Sequence, residues 1–233
     1  MLDKLSVFFP AYNEQDNLEQ TVTRALSVLP QVAKDWEVII VNDGSKDKTG
    51  EVAQELVNRD SRISVITHSP NRGYGAAVKS GLYHARYPWI TFTDADGQFD
   101  FSEISNLIRK QEETQADLVI GYYLKREVPF IRICGSKAWQ FLVWLIFGLK
   151  VRDTDCGFKL IRREVIKKIP PLEAERGPFI SSELLIKAKK FGFKIVEIGV
   201  HHFPRKAGKA TGADFKVVVS GFNDLLCLRK KLQ

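Results

Sequence analysis

Ile90-Thr91-Phe92-Thr93-Asp94-Ala95-Asp96-Gly97-Gln98-Phe99 is the stretch whose reading decides the fold. A strand-like run from Trp89 to Thr93 stops abruptly at two carboxylates. Asp94 and Asp96 stand two residues apart, so in extended backbone they face the same side. Like charges held that close repel unless a cation lies between them. Oxygen ligands suit a hard divalent ion such as magnesium or manganese, and Gln98 offers a third oxygen. An ion held by so few protein ligands keeps positions open for substrate phosphates. The plainer alternative is an Asp-Gly turn whose carboxylate caps the helix that follows.

Outward from this stretch, strand and helix alternate. Leu5–Phe9, Trp36–Val41, Ile63–Thr67 and Leu118–Gly121 are compact apolar runs that predict buried strands. Helical spacing of apolar residues predicts helices over Glu14–Leu29, Asp47–Val57, Ala76–Arg86 and Phe101–Glu113. This order predicts an α/β fold, a mostly parallel central sheet with helices on both faces. Ligands of such sheets lie beyond the carboxyl ends of the strands. Three loops fall there, at 10–14, 42–45 and 94–98, and each carries an acidic side chain directly after an apolar strand. The first strand ends in Pro10, with no GxGxxG fingerprint after it, and there is no GxxxxGK[ST] loop, which argues against a dinucleotide dehydrogenase and a P-loop ATPase. Gly97 stands at the wrong offset for an EF-hand.

The chain of 233 residues is 44% hydrophobic and 27% charged, enough for one globular domain with its own core. Its net charge of +7 suits phosphates, nucleic acid or an anionic membrane surface. Cys134, Cys156 and Cys227 form no CxxC pair, which points to a reducing compartment rather than a disulfide framework. No signal peptide precedes the first strand pattern, and the longest apolar run, Phe141–Leu149, is too short to span a bilayer.

Four motifs in order, Pro10-Ala11-Tyr12-Asn13-Glu14, Val41-Asn42-Asp43-Gly44-Ser45, Asn71-Arg72-Gly73-Tyr74-Gly75-Ala76 and Asp94-Ala95-Asp96-Gly97-Gln98, resemble those of family 2 glycosyltransferases. The closest subgroup is the polyprenyl-phosphate glycosyltransferases, similar to the dolichol-phosphate mannose synthases, and the resemblance covers about residues 4–205. It implies a GT-A (Rossmann-like) fold forming a single catalytic domain over 1–233. Within it, a nucleotide-sugar half would span about 4–125, an acceptor half about 126–212 and a C-terminal amphipathic helix about 213–232. By the same resemblance, Pro10, Ala11, Tyr12 and Glu14 line the nucleotide pocket and Asp43 binds the base. Asp94, Ala95 and Asp96 face the diphosphate, with Asp94, Asp96 and Gln98 holding Mg2+ or Mn2+. The donor is GDP-mannose or a UDP-hexose.

Residues 128–149 hold a nearly continuous apolar run, Trp139 and Phe141–Phe147, flanked by Lys125, Arg126, Arg132, Lys137, Lys150 and Arg152. Such a helix is either buried in the core or lies in a membrane interface. Arg132 and Ser136 share one helical face. In the subgroup, residues matching these two bind the acceptor phosphate, and Arg126 is the candidate third member. Asp153-Thr154-Asp155-Cys156-Gly157-Phe158-Lys159-Leu160 also matches the subgroup. Many sugar-acceptor relatives place a general base here. A phosphate monoester, with its second pKa near about 6, is anionic enough to attack without one. His201 and His202, being adjacent, are a poor metal pair. Arg205 opens a basic, Gly-containing segment, Lys206–Gly212, that resembles the subgroup's mobile loop, and it would neutralise diphosphate charge. Ser181–Phe191 and Phe215–Leu232 read as helices, and Ile195–Gly199 as a strand.

The resemblance thus implies inverting, metal-dependent hexose transfer to a polyprenyl phosphate by a cytoplasmic protein resting on the cytoplasmic face of a membrane, with no nucleic acid partner. A saccharide-hydroxyl acceptor and a non-catalytic nucleotide-binding module remain alternatives on the residues alone.

Overall fold

In the computed structural model, which describes residues 1–125, 130–205 and 215–232, every apolar run of the first half is a strand. β1 (Leu2–Ala11), β2 (Ala33–Asn42), β3 (Ile63–Thr67) and β4 (Trp89–Phe92) alternate with α1 (Leu18–Val32), α2 (Thr49–Arg59) and α3 (Tyr74–His84). A 3-10 turn, Phe101–Glu103, leads into α4 (Ile104–Thr114) and β5 (Leu118–Tyr123). There follow α5 (Phe130–Phe147), β6 (Lys159–Arg162), α6 (Arg163–Lys168), α7 (Phe179–Lys190), β7 (Ile195–Val200) and α8 (Phe215–Leu232).

The seven strands form one sheet in the order β3-β2-β1-β4-β6-β5-β7. All pairings are parallel except those of β6, which runs antiparallel to both β4 and β5. Alternate residues of the central strands feed two cores. Leu5, Val7 and Phe9 pack with buried residues of α1, α2 and α4. Phe8, Ile90 and Phe92 pack on the opposite face with α3, α7 and α8. Helix α3 lies so close to β1 that a Cβ on Gly81 would stand 2.2 Å from the Phe8 ring.

Three departures from the sequence reading shape the sheet and its first helix. β1 continues through Pro10 to Ala11, because its pairing with β4 ends at Phe8↔Phe92 and the last residues face β2 alone, where proline is tolerated. α1 begins only at Leu18, and Pro30 lies inside its last turn before Ala33 starts β2. β6 does not stand out in the sequence: it is four residues long and opens with the fully buried Lys159.

α5 answers both readings of the apolar stretch. Val143 is buried, and Trp139, Leu142, Ile146 and Phe147 pack on the α3–α7–α8 core. The Trp139 indole donates to Ser182 Oγ of α7 at 3.0 Å. On its other side Phe141 is 56% and Leu145 62% exposed, and Phe141 touches Trp144 with ring centroids 5.5 Å apart. Among the described residues no helix is long and apolar enough to cross a membrane.

Candidate active site

The three acidic loops meet at the carboxyl edge of β1, β2 and β4. The first two are locked together. Asp43 N–H donates to Ala11 O at 2.9 Å, Asn13 N–H to Ser45 Oγ at 3.0 Å, and Glu14 N–H to Thr49 Oγ1 at 2.8 Å. Asn13 takes φ 55°, a left-handed turn that asparagine tolerates. Pro10 and Ala11 are buried in this edge and Tyr12 is half-buried.

Asp43 is 2% exposed, and its carboxylate is surrounded by donors. Oδ1 lies 2.6 Å from His68 Nδ1 and accepts from Arg72 N–H at 3.0 Å. Oδ2 accepts from Asn71 Nδ2 at 2.8 Å and Gly73 N–H at 2.7 Å. A carboxylate offers about four lone-pair positions, and these neighbours fill them. Asp43 is therefore the post around which the loop after β3 wraps. A base contact from this side chain would have to displace one of those donors.

Asp94 and Asp96 follow the end of β4. The Tyr74 hydroxyl, at the first residue of α3, donates to Asp94 Oδ1 at 2.9 Å. A Cβ on Gly157 would stand 2.9 Å from Asp94 Oδ2, so only glycine lets the loop before β6 lie against this carboxylate. Thr21 of α1 donates to Ala95 O at 3.2 Å, and Gln98 N–H to Asp96 Oδ1 at 3.0 Å. Arg205 reaches in from the segment after β7. Its Nη2 donates to Asp96 Oδ2 at 3.0 Å and its Nη1 to Glu14 Oε1 at 2.9 Å. Its Nε is buried without a partner among the described residues.

The segment bearing Arg205 is pinned to the Asp96 loop. Phe99 and His202 form a β-bridge, and Phe203 N–H donates to Gln98 O at 2.8 Å. The Gln98 side chain completes the clasp, its Nε2 donating to Phe203 O at 2.8 Å. The His202 ring contacts Phe99 and Tyr123, with centroids 5.2 and 4.7 Å away. Gln98, expected as a third metal oxygen, thus spends its amide nitrogen on this segment. His201 turns the other way, to Glu103, as two adjacent extended residues must.

Burial, and then the charge of Asp96, push the Asp94 carboxyl up to about 7, against the pull of Tyr74, Lys159 and Arg205. Burial likewise raises Glu14. Because the folded Asp94 holds its proton well above the ordinary carboxylate range, its contribution to stability is full below that range and is lost as pH rises through about 7. In chelator, the melting temperature should therefore fall between about pH 5 and pH 8 by more than in Asp94→Asn. Manganese, which binds the ionised form, should flatten the slope. Equal slopes in the two proteins, measured by thermal melts across that range, would remove Asp94 as the cause.

The donor set fits a hard divalent ion. Two carboxylates adjoin each other, and a protein cation already rests on one of them. Among the described residues no three His, Cys, Asp or Glu side chains converge on a metal position, so the remaining ligands would come from phosphate or water.

Glu14, Asp94, Asp96 and Arg205 are brought together. Ser136 is half-buried on α5, whereas Arg126, the side chain of Arg132 and the segment Lys206–Gly212 lie outside the described residues. Sequence reasoning quoted Tyr74, Gly157 and Lys159 within motifs but gave them no role. The buried Lys159 ammonium bonds Cys156 O, lies 3.4 Å from Ser181 Oγ, and has its pKa lowered by burial.

A family model described as glycosyl transferase family 2 matches residues 6–170. The chain is 34% identical over 217 residues to a dolichyl-phosphate beta-glucosyltransferase of Homo sapiens, covering 85% of this chain and 67% of that protein. It is 29% identical over 228 residues to an undecaprenyl-phosphate 4-deoxy-4-formamido-L-arabinose transferase of Salmonella choleraesuis, covering 97% and 68%. The chain thus spans about two thirds of the length of these relatives. Among solved structures it resembles glucosyl-3-phosphoglycerate synthase of Mycobacterium tuberculosis in complex with Mn2+, UDP-glucose and phosphoglyceric acid. The TM-score is 0.71 at 17% identity, over 99% of this chain and 79% of that one, a likeness of fold.

Proposed function

The chain belongs to glycosyl transferase family 2, and on that premise we propose that it moves a hexose from a nucleoside diphosphate to a polyprenyl phosphate, with inversion at the anomeric carbon. The observation that carries this reading is the pair Asp94 and Asp96 beside Arg205, whose buried Nε lacks an acceptor among the described residues. Such a site offers carboxylates to a divalent ion and a guanidinium to a diphosphate.

Asp94 and Asp96 would hold Mg2+ or Mn2+, with Tyr74 and Gly157 fixing the first of them. The ion, when bound, supplies Lewis-acid stabilisation of charge gathering on the departing diphosphate. Pro10, Ala11 and Tyr12 would border the nucleotide, on a floor held by Asp43. Arg205 would neutralise phosphate charge. An acceptor phosphate oxygen forms the new bond to the anomeric carbon as the bond to the diphosphate breaks. With its second pKa near about 6, that phosphate needs no protein base. Arg126, Arg132 and Ser136 would seat it. Glucose from a UDP donor leads, by the names of the eukaryotic relatives, over mannose from GDP-mannose. The exposed Phe141, Trp144 and Leu145, with Lys137 near them, would rest on a membrane surface, on its cytoplasmic face.

The test is incubation with manganese, a short polyprenyl phosphate and, separately, labelled UDP-glucose, GDP-mannose and UDP-GlcNAc. Label should enter the organic phase from UDP-glucose. Transfer from no donor by folded protein, or only to a saccharide hydroxyl, would overturn the lipid acceptor.

A further inference from the structure

Arg205 sits where a metal-binding carboxylate most needs to be free. Both oxygens of Asp96 are engaged, Oδ1 by Gln98 N–H and Oδ2 by Arg205. The other arm of the guanidinium lies on Glu14, a carboxylate that is 8% exposed and is itself oriented by Asn17 Nδ2 at 2.8 Å. This is no side chain fallen into a cleft. The backbone leading to it is fixed by the Phe99–His202 bridge, the Gln98–Phe203 clasp and the bond of His201 N–H to Glu103 at 2.9 Å. Among the described residues nothing accepts from its buried Nε, which leaves a cationic donor open to an anion.

The charges explain why such a contact is built. Glu14, Asp94 and Asp96 gather three carboxyl groups in a poorly hydrated edge, and like charges so placed repel. One protein cation, Arg205, relieves them. A divalent ion approaching Asp96 Oδ2 meets that cation, and like charge opposes their sharing the carboxylate. The displaced guanidinium is then within a side chain's reach of any diphosphate the ion brings with it.

Resting on the metal and diphosphate reading of Asp94 and Asp96, we propose that Arg205 is a placeholder for the metal, and that Glu14 is the positioning residue that seats it rather than a nucleotide contact. Loading of the ion with the nucleotide transfers the guanidinium from the carboxylates to the phosphates. Metal and nucleotide therefore bind as a coupled pair, and the metal alone binds weakly.

The experiment reads Mn2+ binding by calorimetry, without turnover, in wild type, Arg205→Met, Glu14→Gln and Asp96→Asn, alone and with UDP (or GDP, if that nucleotide binds). Removing a unit positive charge a few ångströms from the site should tighten Mn2+ binding by Arg205→Met about tenfold in the absence of nucleotide. The same variant should bind nucleotide more weakly at saturating Mn2+, so that the coupling collapses. Arg205→Gln takes the place of Arg205→Met if melting curves show that the latter fails to fold. Unchanged or weaker Mn2+ binding in the absence of nucleotide by the folded Arg205 variant would overturn the placeholder. Glu14→Gln frees the guanidinium but also removes a negative charge near the ion, so it is read on the nucleotide, whose affinity at saturating Mn2+ should stay within about twofold. A loss of about tenfold or more in nucleotide affinity in Glu14→Gln would return Glu14 to the nucleotide pocket. Asp96→Asn separates the two readings: wild-type Mn2+ affinity in that variant, with nucleotide present, would mean that the metal reading itself has failed.

Discussion

Asp96→Asn should lower hexose transfer by about three orders of magnitude, equivalent to about 4 kcal/mol of transition-state stabilisation. The substitution keeps the shape of the side chain and an oxygen for Gln98 N–H. It removes one of the two charges that adjoin the metal position. Lewis-acid stabilisation of a leaving diphosphate is worth several kcal/mol, and most of it depends on that charge. The fold should be little affected, because losing one contact of Arg205 also relieves the repulsion between Asp96 and its neighbouring carboxyl groups. The measurement is the initial rate at saturating donor over a manganese titration, with melting curves as control. More than about a tenth of wild-type turnover at every manganese concentration would sink the carboxylate pair as the metal position.

The largest loss of stability should come from a pair far from the chemistry. Glu183 and Lys187, one turn apart on α7, form an ion pair in which both side chains are 2% exposed. Glu183 also accepts from Glu173 N–H and Ala174 N–H, and Lys187 donates to Pro171 O at 2.6 Å. Glu183→Ala would strand a buried ammonium and two backbone donors, a loss of about 3–5 kcal/mol. Lys187→Met should cost less, because the carboxylate keeps its two amide donors. Urea unfolding at constant m-value checks both the size and the order. Equal costs would mean that the amide contacts contribute little. The loop held in this way is the one that supports α3. Glu175 O accepts from Ala76 N–H at 2.8 Å, and the Glu175 carboxylate takes Arg72 and Lys79 at 2.9 and 2.7 Å. Gly73 and Gly75 leave no room for a Cβ against its backbone. A buried charge pair thus steadies the helix start that presents Tyr74 to Asp94.

What could be read from the residues follows from how local each signal is. β1, β2, β4 and β5 announce themselves as apolar runs because a strand buried on both faces needs little else, and the half-buried edge strands β3 and β7 keep enough β-branched residues to show. The three acidic loops were legible because each follows a parallel strand and so falls at the same carboxyl edge. β6 was not: four residues led by a lysine carry no hydrophobic period, and only the carbonyl and hydroxyl waiting for that ammonium make the strand possible. Nor was the grip of Arg205, which joins side chains 191 and 109 residues away and needs the completed sheet to exist. Asp43 is the reverse case. The resemblance assigns its carboxylate to the base, and the donors that the loop 68–73 folds over both its oxygens are visible only in the completed fold.

The reversed strand in the middle of the sheet has a consequence for synthesis. β4 waits for a neighbour that lies nearly 70 residues further along the chain, and β5 waits for the same one. At a ribosomal pace of about 5–20 residues per second, the open edge of β4 stands bare for several seconds. An apolar strand edge exposed for that long invites pairing with another nascent chain. Until β6 is made the molecule is a four-stranded sheet, β3-β2-β1-β4, beside an unpaired β5, because β7 comes later still, and any truncation before Lys159 leaves it in that state.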